Sequence, residues 1–423
     1  MARKKGDCEK RPRTGPRLPA ATSTACAFEP LRRLLGAPQE LRRTQAQVPG
    51  IVVDQAVVSG TVLLRVPRDC HFCRPRCQEE MPNVYDACEA LPSADPEKRA
   101  EAADALCMAR LLLDAQQPKG NRSLAVPVVW QAMADALLVA EDFSEHPYMA
   151  AMQGRCPDGP PSAEKELISA QAQYVRTVYS CLRALDTAEV PEELDEGLFL
   201  LSWLLLLSRR FAGPEGSTLV PGVDFLNHSS QPNASSDWDE DSGAIVVTTL
   251  QDLKPGDEVL ISYGCLSNPL LFRTYGFTLP CALEPTWTCT FGQAELAEVC
   301  NATPELEGLP NLHLDAKLVT QELAQLLQAW PGAGQALRAL LARRLAKTPP
   351  ESRRQLQNRP ALSGHAERVA FSEYCCVFLH AEILEELAGG RSVGPELEAE
   401  CQELKSELKL IQQAGKYSAD GPS

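Results

Sequence analysis

The chain has 423 residues, 44% of them hydrophobic and 23% charged, with a formal net charge of −15. A chain of this size can bury a substantial core and suits two or three domains. Its acidic balance excludes a general nucleic-acid binder, because phosphate attraction needs a clustered basic face. The opening segment, MARKKGDCEKRPRTGPR, holds seven Lys or Arg against two acids and lacks the apolar stretch of a secretory signal. Residues 1–26 therefore read as a disordered basic tail, and the protein as intracellular, in cytoplasm or nucleus, with organellar import as the alternative.

Next, FEPLRRLLGAPQELRR reads as one helix interrupted at Gly36 and Pro38. GIVVDQAVVSGTVLLRVP reads as two short strands, with Ser59-Gly60 supplying the turn. From about Cys70 to Ala188 the pattern becomes helical: EKRAEAADALCMARLLLDAQQ is rich in good helix formers, and Val175, Val178, Leu182 and Leu185 recur at helical spacing. The apolar run from Gly197 to Ser208 falls short of the roughly 20 residues that cross a bilayer, so it reads as a buried helix and no membrane is implied.

Strand character returns in STLVPGVDFLN, GAIVVTTL and DEVLISYG; EVLISY alternates too weakly for one wet face and is expected to be buried on both. From Asp315, a candidate N-cap, helices resume with an apolar face at Val319, Leu323, Leu326, Leu327 and Trp330. EYCCVFLHAEILEELAGG follows, then a seam at Leu397, Cys401, Leu404, Leu408 and Ile411. The order is a β-fold split by a helical insertion. It divides the chain into residues 27–281 with the insertion at about 70–188, a helical region at 282–414 and a disordered tail at 415–423.

Sixteen cysteines without a secretory signal read mainly as small buried apolar side chains. CHFCRPRC crowds Cys70, His71, Cys73 and Cys77, but no second CxxC pair completes a zinc site, and no metal is expected. There is no GxSxG elbow, HExxH, P-loop or GxGxxG after a strand, so hydrolase and nucleotide-kinase chemistry have no positive support. In PGVDFLNHSSQPN an apolar segment ends in Asp224, Asn227, His228 and Asn233. The composition calls for a turn there, which taken alone fits a loop whose Asx and Ser side chains satisfy local backbone groups.

Four segments in order change that reading: SGTVLLRVP, LSRRF, LVPGVDFLNHSSQPN and DLKPGDEVLISYG. Together they resemble the SET-domain methyltransferases, in the branch typified by the Rubisco large-subunit lysine methyltransferase, with a split SET domain and a helical substrate-binding domain. The resemblance spans roughly Gln47 to Phe277. It implies an α+β fold: a β-rich SET fold with a pseudoknot, interrupted by a helical insertion and followed by an all-α C-terminal domain.

It also implies S-adenosyl-L-methionine as cofactor, with Gly50, Asp224, Asn227 and His228 holding it. Tyr263 matches the catalytic tyrosine, and Arg209, Phe211 and Tyr275 match positions around the substrate lysine. The acceptor implied is a lysine of a non-histone protein. The other partner expectations are no direct nucleic acid, no membrane and a monomer.

The chain departs from the family in one element. The Gly-x-Gly that opens the first strand is Val48-Pro49-Gly50 here, so only the second glycine is present. Proline has no N–H to offer a ligand, and valine adds a Cβ. Two alternatives follow: a SET-derived protein-binding module with weak or no catalysis, and a histidine-directed methyltransferase, against which Arg210 and Phe211 look lysine-like.

Overall fold

The computed structural model describes residues 24–36, 39–43, 49–140, 143–155, 162–214, 216–291, 312–315, 340–341, 344 and 364–387. The chain forms two compact units. One comprises residues 1–142, 175–227 and 233–261; the other comprises 143–174, 228–232 and 262–423.

The first unit begins with helix α1 (Thr24–Leu35), which stops at Gly36 with φ 63°. The expected second half of that helix is instead a strand. QELRR has good intrinsic helix formers, but β1 (Gln39–Arg43) pairs antiparallel with β2 (Pro49–Val53), and tertiary pairing overrides propensity. The strands β2 and β3 (Val62–Val66) do not form a hairpin with each other. β3 is one edge of the sheet β3-β9-β8, where β9 is Ile245–Thr249 and β8 is Ala234–Trp238. Ser59-Gly60 still turns the chain: Gly60 has φ 81°, and its N–H donates to the Thr249 carbonyl at 2.8 Å.

The insertion is helical as expected, apart from the two-residue strand β4 (Phe72–Cys73) at its start. Helices α2 (Arg74–Glu80) and α3 (Pro82–Cys88) lead to α4 (Pro96–Gln116), whose N-cap Asp95 accepts from the Glu97 N–H at 3.0 Å. The helix α5 (Val128–Ala140) packs on α1 and α4. The leucine-rich run is helix α8 (Glu196–Arg209). It is capped by Asp195 and packed on α4, with Phe199, Leu200, Leu204 and Leu205 buried. It feeds β5 (Arg210–Gly213) and β6 (Gly216–Leu219), which form the sheet β4-β6-β5.

The second unit contains α6 (Pro147–Met152), the first part of α7 (Ser162–Arg183) and α9 (Asn268–Tyr275). Its C-terminal part is α-rich and carries in addition an antiparallel strand pair, β11 (Thr288–Phe291) with β12 (Leu312–Asp315). Asp315 is thus the last residue of a strand; the helices expected at 319–330 and 397–411, residues 1–23 of the tail expected at 1–26, and the tail at 415–423 lie outside the described residues, while residues 24–26 of the first tail begin α1 instead. The long helix α10 (His365–Leu387) packs on α9 and β11, burying Phe371 and Cys375 against Trp287 and Tyr374. No helix among the described residues is long and apolar enough to cross a membrane.

Candidate active site

The segment 221–233 turns earlier than its polar composition suggests. Gly222 takes φ 89°, a conformation that a side chain disfavours, and a 3₁₀ turn runs over Val223–Phe225. Asn227 and His228 are then a two-residue strand, β7, rather than loop. Asp224 holds the turn: its Oδ1 accepts from the Gly222 N–H at 2.8 Å, and its carboxylate pairs with Arg209 at 3.6 Å. Arg209 also donates to the Asp224 carbonyl and lies over the Phe225 ring, 5.1 Å from its centroid. These two residues are therefore joined as an ion pair that is largely buried. Phe211 stands half-buried on β5, in register with Thr218.

Gly50 is buried on β2, opposite Arg42 of β1. On its other edge β2 meets the segment leading to β10 (Leu260–Ile261), which ends two residues before Tyr263: Val53 N–H donates to the Asp257 carbonyl at 3.0 Å, and Val259 N–H donates to the Ile51 carbonyl at 2.8 Å. This brings Glu258 onto Gly50, where Asn227 Nδ2 donates to Glu258 Oε1 at 2.7 Å. A Cβ on residue 50 would overlap Glu258 Oε1 and stand 2.7 Å from Asn227 Nδ2, which explains a glycine here in terms of close approach rather than backbone conformation. Burial pushes the Glu258 carboxyl above the usual range, and the Asn227 bond works in the opposite direction. Of the altered element, Pro49 lies opposite Arg43, and Val48 falls outside the described residues.

In the second unit His228 and Tyr263 meet directly. The Tyr263 main-chain N–H donates to His228 Nδ1 at 3.0 Å, which places the proton of a neutral ring on Nε2. Ring centroids lie 5.2 Å apart for His228 and Tyr263, 4.9 Å for Tyr263 and Tyr275, and 5.9 Å for Tyr275 and Phe277. Such spacings are those of interacting aromatic rings. Burial raises the Tyr275 hydroxyl pKa, so the phenol stays neutral.

Helix α9, which carries Tyr275, is braced from below. The Arg273 Nη1 donates to both oxygens of Glu164 at 2.8 Å, and Glu164 is buried. The His146 Nε2 lies 3.3 Å from the Thr274 carbonyl, its Nδ1 accepts from the Tyr148 N–H at 3.3 Å, and a Cβ on Gly276 would come within 3.1 Å of its ring. Burial lowers the His146 pKa to about 4 from 6.5. Because the folded pKa is depressed, the stability this ring contributes is complete above about pH 6.5 and is lost as pH falls towards 4. The shift corresponds to roughly 3 kcal/mol. Urea midpoints of wild type should fall more between pH 7 and pH 4.5 than those of His146→Gln; equal falls would refute this.

Sequence reasoning named Asn233 without giving it a role and missed two other residues that build this region. Asn233 joins Leu260 through its side chain and main chain. Glu258 sits on Gly50, and His146 supports the turn after α9. Their signal was slight: a polar residue just before a strand, an acid opening an apolar strand and a lone histidine in a helical insertion. The CHFCRPRC segment takes other partners. Cys73 and Cys77 are buried, and His71 places Nε2 3.2 Å from the Val66 carbonyl. Among the described residues, no group of three or more His, Cys, Asp or Glu could hold a metal ion.

This arrangement, the Asn-His strand β7 paired with β10 just ahead of Tyr263, agrees with family comparison. A SET domain model matches residues 50–264, just over half of the chain, and the protein belongs to the SET-domain family. Among curated proteins it is similar to the Mus musculus N-lysine methyltransferase SETD6, at 26% identity over 131 residues. It is also similar to the Homo sapiens protein-lysine N-trimethyltransferase SMYD5, at 43% identity over 53 residues. The first alignment covers 29% of this chain and 27% of that relative, the second 12% and 13%. Solved structures extend the likeness of fold. The SET domain of LSMT bound to lysine and AdoHcy superposes with a TM-score of 0.58 at 16% identity, covering 88% of this chain and 92% of that one. Rubisco LSMT bound to AdoMet superposes with a TM-score of 0.58 at 13% identity, covering 87% and 92%. The fold is the SET fold, with an insertion and an α-rich C-terminal region.

Proposed function

We propose that the protein transfers a methyl group from S-adenosyl-L-methionine to a lysine side chain of a non-histone protein. The observation that carries this reading is the position of Tyr263, its N–H locked on His228 and its ring set against Tyr275. The relatives' names, which specify lysine methylation, and the likeness to a structure bound to AdoMet support it.

The residues present fit such a cofactor in their chemistry. Glu258 is a half-buried carboxylate whose pKa is raised by burial and whose hydrogen bond comes from a neutral amide, so a cationic guest would lower its cost of ionisation. When bound, S-adenosylmethionine supplies an electrophilic methyl group on a sulfonium. Gly50, Asn227 and His228 would hold it, and Asp224 with Arg209 would keep the preceding turn in shape. Tyr263 would orient the acceptor amine through its hydroxyl, with alignment and electrostatics providing most of the acceleration. The amine, with a free pKa of about 10.4, must be neutral to react, and the apolar faces of Tyr275 and Phe277 would favour that form. The C-terminal region at 282–414 would receive the protein substrate.

A second reading, a protein-binding module without catalysis, is favoured by Pro49, which has no N–H for a ligand. Calorimetric titration with S-adenosylmethionine tests the first: we expect saturable heat, and its absence at millimolar cofactor would refute the enzyme reading. Labelled cofactor in cell lysate should then mark proteins other than histones at lysine; label on histidine would identify the other acceptor.

A further inference from the structure

The first unit contains a cavity of about 600 Å³, among α2, α4, α8 and the start of β6, that the methyl-transfer residues do not use. Its floor is an ion network. Asp104, 2% exposed, accepts from Arg74 Nη2 at 3.1 Å, Arg210 Nη2 at 3.1 Å and the Tyr85 hydroxyl at 2.6 Å. Arg74 also donates to both oxygens of Glu97, at 2.8 and 2.9 Å. Two guanidinium groups are thus matched by two carboxylates.

A third carboxylate also lines the cavity. Glu101 lies one turn beyond Glu97 on α4, half-buried, and among the described residues it has neither a hydrogen bond nor an ion pair. The lining therefore carries one negative charge in excess. Burial and the neighbouring Glu97 raise the pKa of this carboxyl, Arg74 and Arg210 offset part of that rise, and an added cation would relieve the remainder. Along α8, Trp203, Leu206 and Leu207 supply an apolar wall. The volume falls in the range of small-ligand pockets, about 300–1,000 Å³.

We infer that this cavity receives an arginine or lysine side chain from a bound protein, with its charged end at Glu101 and its methylene stem along Trp203 and Leu206. Long basic side chains combine an apolar stem with a charged head, and an indole adds attraction for the cation. A metal ion fits less well, because Glu97 and Asp104 already accept from arginines. A basic residue of the partner would be gripped here whether or not methyl transfer takes place, so binding is read without cofactor.

The test uses the full chain and calorimetric titration with N-acetyl-arginine-methylamide, against the uncharged norleucine analogue. We expect a dissociation constant on the order of 1 mM for the arginine probe and at least about fivefold weaker binding of the norleucine one. Glu101→Gln should weaken arginine binding about fivefold or more. Gln78→Arg, at an exposed position on the rim, should do the same by placing a competing guanidinium there, and Glu240→Gln should change nothing. Equal affinity for the two probes, unchanged binding in both Glu101→Gln and Gln78→Arg, or no saturable heat with arginine would overturn the inference. None of these outcomes bears on the cofactor titration.

Discussion

Tyr263→Phe is expected to lower kcat by about 100-fold or more while leaving the dissociation constant of S-adenosylmethionine within about twofold of wild type. The substitution isolates the hydroxyl. The contact with His228 runs through the main-chain N–H, which phenylalanine keeps, and the ring positions against His228 and Tyr275 need no oxygen. What disappears is the group proposed to orient the acceptor amine. A positioned hydroxyl that acts mainly in the transition state should affect turnover and leave cofactor affinity almost untouched. Single-turnover transfer of labelled methyl and calorimetry on the same preparation measure the two quantities. Parallel loss of both would mean that Tyr263 shapes the cofactor pocket; retention of both would remove it from the chemistry.

That Tyr263 could be singled out from sequence follows from local density. LNHSSQPN and DEVLISYG each combine an apolar strand signal with a dense set of polar residues, and their order along the chain carried the resemblance. Helices α4 and α8 were equally legible, because their composition, length and N-cap aspartates agree. Where a strand depends on a distant partner, local pattern failed. QELRR has no strand periodicity, and only its register with β2, from Gln39↔Val53 to Arg43↔Pro49, makes it extended. The polar run expected to turn does bend, at Ser230, Gln231 and Asn233, but the earlier turn at Gly222 was not foreseen. The constraint comes from Asp224 accepting the Gly222 N–H before it.

The support of the candidate site was less legible than its motif. Glu258 matters because β2 lies alongside it and Gly50 has no side chain, a fact that joins positions about 200 residues apart. His146 belongs to the insertion but supports the turn after α9. The Arg273–Glu164 pair likewise spans the insertion and the helix that bears Tyr275. A buried ion pair costs desolvation, so its worth lies more in fixing the position of α9 than in net stability. Such residues act on backbone groups or charges far off in sequence and leave no periodic trace.

Asn233→Ala is expected to destabilise the first unit by about 3 kcal/mol, the largest effect on stability among the residues near the motif. Asn233 is 8% exposed and uses its side chain as an additional rung between strands. Its Oδ1 accepts from the Leu260 N–H at 2.8 Å, and its Nδ2 donates to the Glu258 carbonyl at 2.8 Å. The main chain adds a bond from its N–H to the Leu260 carbonyl at 3.1 Å, and another from the Leu250 N–H to its carbonyl at 2.8 Å. Alanine keeps the main-chain pair and leaves the Leu260 N–H and Glu258 carbonyl without their partner, each at a cost of about 1–3 kcal/mol where water does not replace it. Asn233→Asp separates the two bonds: a carboxylate can still accept from Leu260, but it has no donor for Glu258 and faces a carbonyl with like partial charge. Urea unfolding should therefore give both variants a lower midpoint than wild type at unchanged slope. If Asn233→Ala unfolds at the wild-type midpoint, the rung is dispensable and the placement of Glu258 against Gly50 must rest on the β2 hydrogen bonds alone.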